Sequence, residues 1–182
     1  NNYKAKKIVI ATGSNVKIWK LLTKLGHTTL PPIPSLFTFN IKDNRIKDLP
    51  GIATSASVSV LSKNHKTNLE SEGPLLITHW GLSGPAILKL SAWGAIDLYH
   101  LNYHFKIKVN WIPSETREAV LEKLKDLKEV NSKQSVLKYA QLEIPKRLWK
   151  SLAISSGIAE IQKWGETTNK QLQELALQLT NS

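Results

Sequence analysis

The chain has 182 residues, 41% of them hydrophobic, and a net charge of +11. That length suits one domain or two small ones, and that apolar fraction excludes general disorder. There is no cysteine, hence no disulfide framework and no thiolate chemistry, and no apolar run of membrane-spanning length, so a cytoplasmic setting is the expectation.

The basic excess is uneven. Residues 1–30 carry six lysines and no acid; residues 31–112 carry eight basic and five acidic residues; residues 113–182 carry eleven and nine. More than half of the excess therefore lies in the first thirty residues, and the rest is the mixed charge of solvated helices. Aromatics are not interleaved with the N-terminal lysines, and no nucleic-acid-binding signature appears. The expectation is a lysine-rich edge facing other parts of a longer chain, with no nucleic acid and no membrane as partner. Methionine is absent, even at position 1, which reads as a piece of something longer.

In chain order, KKIVIATG (6–13) is a β-branched run ending in a turn glycine, and Ile8–Ile10 reads as a fully buried strand. Val16 to Leu25 reads as a helix, with Ile18, Leu21, Leu22 and Leu25 on one face and Gly26 as its stop. Pro31, Pro32 and Pro34 then mark a boundary. LFTFNI (36–41), TSASVSVLS (54–62) and HFKIKVNWI (104–112) alternate apolar and polar residues, which predicts half-buried strands of an antiparallel sheet or open barrel. PLLITH (74–79) predicts a more buried strand, feeding a helix over 84–96 that is apolar nearly all round. Beyond Pro113 the period becomes helical. Ser114 is the expected cap of a helix carrying Val120, Leu121, Leu124 and Leu127. Pro145 opens a second, with Leu148, Trp149 and Leu152. A third, from about Thr168 to Thr180, aligns Leu172, Leu175, Ala176 and Leu179.

Several candidate sites fail on their own terms. Gly81-Leu82-Ser83-Gly84-Pro85 departs from the G-x-S-x-G nucleophile elbow, so Ser83 is read as a helix cap rather than a nucleophile. His100 and His104 are four apart, which suits a metal only on a helix, but Asp97-Leu98-Tyr99 reads as leading into a strand, so a metal site is rejected. Lys146 and Arg147 at a helix start oppose the helix dipole, which favours a solvated or interdomain role over anion binding. His79 remains a candidate catalytic or ligand-facing residue, between a strand and a helix, against the alternative of a histidine bonded to a loop carbonyl.

IATG at a strand end, LGHTTLPPIPSLFTFNI, THWGLSGPAILKLSAW, VNWIP and IPKRLW occur in the same order as in a known family. Over residues 6–155 the chain resembles the YhiN-type, aminoacetone-oxidase-like flavoproteins, which are FAD-dependent oxidoreductases. In that family a Rossmann-type FAD-binding domain is interrupted by an insert with a barrel-like β part and a helical part. The resemblance implies an α+β fold. Residues 1–30 would be a residual strand–helix unit of the Rossmann-type domain, residues 31–112 an antiparallel barrel-like β subdomain, and residues 113–182 a helical subdomain. It implies FAD as the cofactor of the full-length parent, though not of this fragment, which lacks the G-x-G-x-x-G fingerprint. It places Ala11, Thr12 and Gly13 beside the cofactor. Thr78, His79, Gly81, Ser83 and Gly84 then become a ligand-facing helix start whose free N–H groups would meet a reduced flavin or an acidic substrate. The partners implied are the rest of the parent chain and a small-molecule substrate. The alternative reading is a non-catalytic structural or interaction domain without a cofactor.

Overall fold

The computed structural model describes residues 4–61 and 69–182. The chain divides into two compact units, Asn1–Ile33 and Pro34–Ser182.

The first unit holds one helix, α1 (Val16–Lys24), capped by Asn15, whose Oδ1 accepts from the Lys17 amide at 3.0 Å. The helix is as expected; the strand before it is not. Residues 8–10 have no strand partner, and Ile8 and Val9 stand 81% and 90% exposed. A parallel-type strand exists only by pairing with neighbours on both sides, and the described residues offer none.

The second unit is built on a five-stranded antiparallel sheet, curled into a half-barrel. Its strands are β1 (Phe39–Asn40), β2 (Ala53–Leu61), β3 (Glu70–Thr78), β4 (Gly81–Ser83) and β5 (Lys106–Asn110), in spatial order β1-β4-β3-β2-β5. The alternation read from sequence holds in β2, where Ala56 and Val58 are buried, and in β5. Ser62, the expected last residue of β2, lies outside the described residues. Only two residues of 36–41 pair as a strand, although Phe37, Phe39 and Ile41 do share the core side. Two helices follow β4: α2 (Pro85–Trp93), packed on β3 and β2, and α3 (Ala95–His100). They are not one helix, and their outer face carries exposed Trp93 and Ile96, so the segment is amphipathic rather than buried all round.

The helical part comprises α4 (Arg117–Val130), α5 (Lys146–Ser155) and α6 (Asn169–Thr180). The cap of α4 is Thr116, not Ser114: Thr116 Oγ1 accepts from the Ala119 amide at 3.2 Å, while the Glu115 amide closes a turn onto the Ile112 carbonyl at 3.0 Å. The faces of α5 and α6 are as the 3.6-residue period predicts. Leu148, Trp149, Leu152, Leu172, Leu175 and Leu179 are all inaccessible to solvent, and one continuous core runs from the sheet through the helices. Helix α6 packs on both α4 and α5.

Candidate functional site

β3 and β4 form a hairpin whose tip is Thr78-His79-Trp80-Gly81. Thr78 Oγ1 fixes the tip: it donates to the Gly81 carbonyl at 3.2 Å and accepts from the Trp80 amide at 3.3 Å. His79 and Trp80 are thereby left exposed, Trp80 at 77%. The hairpin edge is buttressed by β1, with Phe39 opposite Leu82 and the Ile41 amide donating to the Trp80 carbonyl at 2.8 Å.

Beside the tip is a hollow of about 330 Å³, lined by Ile41, Lys42, Asp43, Lys47, Thr78 and His79 among others. The sequence reading singled out the hairpin half of this hollow and missed the other half, the loop after β1. That loop is held from the helical part. Arg45 Nη1 donates to Gln178 Oε1 at 2.7 Å, Ser151 Oγ donates to the Arg45 carbonyl at 2.6 Å, and Arg147 Nη2 donates to the Asp48 carbonyl. Arg147 is thus a tie between the helical and β parts. Asp43 chelates Arg45 through both carboxylate oxygens. This hydrogen-bonded guanidinium holds the Asp43 carboxyl below the usual carboxylate range, against the opposing effect of partial burial.

The candidate helix start is built differently from the expectation. Ser83 belongs to β4, paired with Leu76, and the N-cap of α2 is Gly84, with no side-chain cap bond. Both glycines are filled from within the protein. A Cβ on Gly84 would stand 2.8 Å from the Pro74 carbonyl oxygen and 3.0 Å from the Leu76 nitrogen; one on Gly81 would collide with β1. These positions serve strand-to-strand and strand-to-helix approach. The residues that present side chains outward are Thr78, His79 and Trp80.

Ala11, Thr12 and Gly13 lie in an exposed, irregular segment of the first unit. Gly13 adopts φ +61°, with open space where a Cβ would be. These residues do not form a pyrophosphate cradle. There is one glycine at the turn, and the cap of α1 comes from Asn15 itself. The segment at residues 11–13 therefore supplies no glycine-rich phosphate loop of its own. The two histidines set aside earlier also sit differently from the expectation. His100 ends α3 rather than leading into a strand, and the His104 ring pairs with the Asn102 carbonyl at 2.7 Å.

A half-barrel joined to a helical part through one core defines the class. Residues 33–182 match the family described as HI0933-like protein, barrel and H2TH domain. The chain belongs to that family, which is one of FAD-dependent oxidoreductases. It is similar to the 3-dehydro-bile acid delta(4,6)-reductase of Clostridium scindens, 29% identical over 111 residues, 59% of this chain and 27% of that protein. It is also similar to the ribosomal RNA dihydrouridine synthase of Escherichia coli, 25% identical over 177 residues, 93% of this chain and 39% of that protein. The chain thus spans well under half the length of both relatives. No helix among the described residues is long and apolar enough to cross a membrane.

Proposed function

We propose that residues 1–182 form the substrate-side portion of a longer FAD-dependent reductase of YhiN type, whose reaction adds a hydride and a proton across a carbon–carbon double bond conjugated to a carbonyl. The observation that carries this reading is the bond type common to the two relatives' names. A 3-dehydro bile acid with Δ4,6 unsaturation is a conjugated ketone, and dihydrouridine is uridine saturated at the double bond next to a ring carbonyl. The two substrates differ in every other respect, so the shared element is the acceptor.

FAD, in this reading, is held by the rest of the parent chain and supplies two-electron chemistry when bound. Ala11, Thr12 and Gly13 form a turn that lies against it only in that context. The residues of this chain bound and orient the acceptor. The Thr78–Gly81 tip presents His79 to hydrogen-bond the carbonyl or to pass a proton. Lys42 and Lys47, in the same hollow, favour an anionic group on the substrate, such as a carboxylate or a phosphate. Gly81, Ser83 and Gly84 act from behind, by fixing the hairpin and α2.

The test uses the longer protein with its flavin reduced anaerobically. A conjugated enone acid, a uridine-containing RNA and the matching saturated ketone are added in turn, and the return of oxidised-flavin absorbance is followed. Reoxidation by at least one conjugated acceptor, but not by the saturated ketone, is the expected result. Reoxidation by neither conjugated acceptor, with dioxygen still competent, overturns the reading.

A further inference from the structure

The loop after β1 makes one helical turn. The Asp43 carbonyl accepts from the Ile46 amide at 3.2 Å and from the Lys47 amide at 3.0 Å, while Ile46 and Leu49 bury their side chains in the core. Asp43 and Lys47 are therefore four residues apart on one turn, the spacing at which an acid and a base ordinarily pair. They do not pair here. Asp43 is bonded to Arg45 instead, and among the described residues neither Lys47 nor Lys42 takes part in an ion pair.

The capture of Asp43 is complete. Its Oδ1 accepts from the Arg45 amide at 2.8 Å and from Arg45 Nε at 3.0 Å; its Oδ2 accepts from Nη2 at 2.6 Å and from Nε at 3.2 Å. A carboxylate offers about four acceptor sites, so these contacts leave none for a lysine or for a ligand donor. Arg45 is itself held from behind, where Nη1 donates to Gln178 Oε1 at 2.7 Å and to Ser182 Oγ at 2.8 Å. A planar guanidinium meets both oxygens of a carboxylate at once, which a lysine ammonium does not. Geometry therefore decides the competition between Arg45 and Lys47 for Asp43.

Asp43, Lys42, Lys47 and His79 all line the hollow of about 330 Å³ beside the hairpin tip. With Arg45 in place the charge of Asp43 is neutralised, and the two exposed lysines leave that wall positive. With Arg45 gone, the Asp43 carboxylate would turn to Lys47 and would repel an incoming anion. We propose that Arg45 is a positioning residue that sets the charge preference of the hollow: by saturating Asp43 it keeps Lys47 and Lys42 unpaired, and the hollow thereby selects an acceptor that carries a carboxylate or a phosphate. The inference rests on the reading of this hollow as the acceptor site.

The test is equilibrium binding to the longer protein with its flavin oxidised, by calorimetric titration with two matched pairs of probes. One pair is a conjugated enone acid and its methyl ester; the other is uridine 5′-monophosphate and uridine. The parent should bind the anionic member of at least one pair roughly fivefold more tightly than the neutral member, the upper range for a partly exposed charge pair. The pair that shows the preference tells a carboxylate from a phosphate. Lys47 is exposed, so Lys47→Gln leaves the fold intact and should remove most of the preference. Arg45→Gln should remove it too, with the affinity for the neutral member unchanged. Adding Asp43→Asn to Arg45→Gln should restore the preference to within about twofold of the parent, because no carboxylate is left to engage Lys47. Arg45→Lys keeps a cation but loses the two-pronged contact; its preference should fall between those of the parent and Arg45→Gln, and it carries the test should Arg45→Gln fail to fold. A role confined to stability would weaken both members of a pair alike, with no recovery on adding Asp43→Asn, and that result overturns the proposal. So do equal binding of both members by the parent, binding of none of the four probes, a full preference in Arg45→Lys, and Lys47→Gln without effect. Turnover is not part of the measurement. An anion preference found alongside a reduced flavin that no conjugated acceptor reoxidises overturns the proposed function and leaves the role of Arg45 standing.

Discussion

Gly81 backs onto Phe39 so closely that a Cβ there would run into the Phe39 carbonyl oxygen and stand 2.5 Å from the Ile41 nitrogen. The contact sets the angle of the hairpin that carries His79, and it can be separated experimentally from ordinary backbone strain. Gly81 has φ +144° with no space for a side chain; Gly51 has φ +88° with open space around it. Gly51→Ala should cost about 1 kcal/mol, the left-handed penalty alone. Gly81→Ala should cost at least about 3 kcal/mol, since the strand must also move. Urea unfolding of both variants checks the difference; equal losses would show that β1 yields freely.

The helical half makes an equally local prediction. Trp149 is fully buried, its Nε1 donates to the Val136 carbonyl at 2.9 Å, and its ring lies 6.2 Å from that of Trp164. Trp149→Phe removes the donor and leaves a buried carbonyl short of a partner, a loss of about 1–3 kcal/mol. Trp149→Ala adds a cavity and should cost about 3–5 kcal/mol. A thermal melt that fails to separate the two variants would mean that the packing of the ring contributes nothing beyond the bond.

Much of this half was legible because helices advertise themselves locally. The stripe Leu172, Leu175, Ala176, Leu179 needs only a 3.6-residue period and a capping box at Thr168, and both are present in α6. What was not legible depends on neighbours. Ile8–Ile10 has the composition of a buried strand, but pairing partners decide whether it is one. The break between α2 and α3 falls at Gly94, where a Cβ would press 2.7 Å from the Leu69 side chain and 3.0 Å from the Leu90 carbonyl. That is a tertiary constraint no periodicity reveals. The candidate site divides likewise. His79 stood out as a polar residue between two apolar runs, whereas Lys42, Asp43 and Lys47 join it only through a fold that brings the loop after β1 to the hairpin.

The clamp on that loop carries a pH dependence. Asp43 has its folded pKa lowered, chiefly by the hydrogen bonds from Arg45. A lowered carboxylate pKa contributes stability that is fully present above the unfolded value, near 3.8, and is lost as pH falls through the folded value. Asp43→Asn should therefore be less stable than the parent at pH 7 by about 1 kcal/mol, both side chains being partly exposed. The gap should narrow only below about pH 4. Unfolding titrations from pH 7 to pH 3 check this, and a gap that shrinks already between pH 7 and 5 would point to another group.

The last prediction separates the two roles in THWGLSG. Ser83 sits in β4 and caps nothing, so Ser83→Ala should change stability by no more than about 0.5 kcal/mol, where a lost cap would cost about 1 kcal/mol. His79 projects from the hairpin tip with no hydrogen-bond partner from its side chain among the described residues. His79→Ala should leave the melting curve of the longer protein nearly unchanged, because no buried contact is removed. In the proposed reading it should slow transfer to a conjugated acceptor by roughly 10²–10⁴-fold if His79 passes the proton. Asn or Gln at that position, able to hydrogen-bond but not to act as an acid near neutral pH, distinguishes the two forms of the proposal. Recovery by Gln assigns His79 to orienting the carbonyl, and no recovery assigns it to proton transfer. An unchanged rate for His79→Ala removes His79 from the reaction altogether, and leaves the tip as an exposed turn held by Thr78.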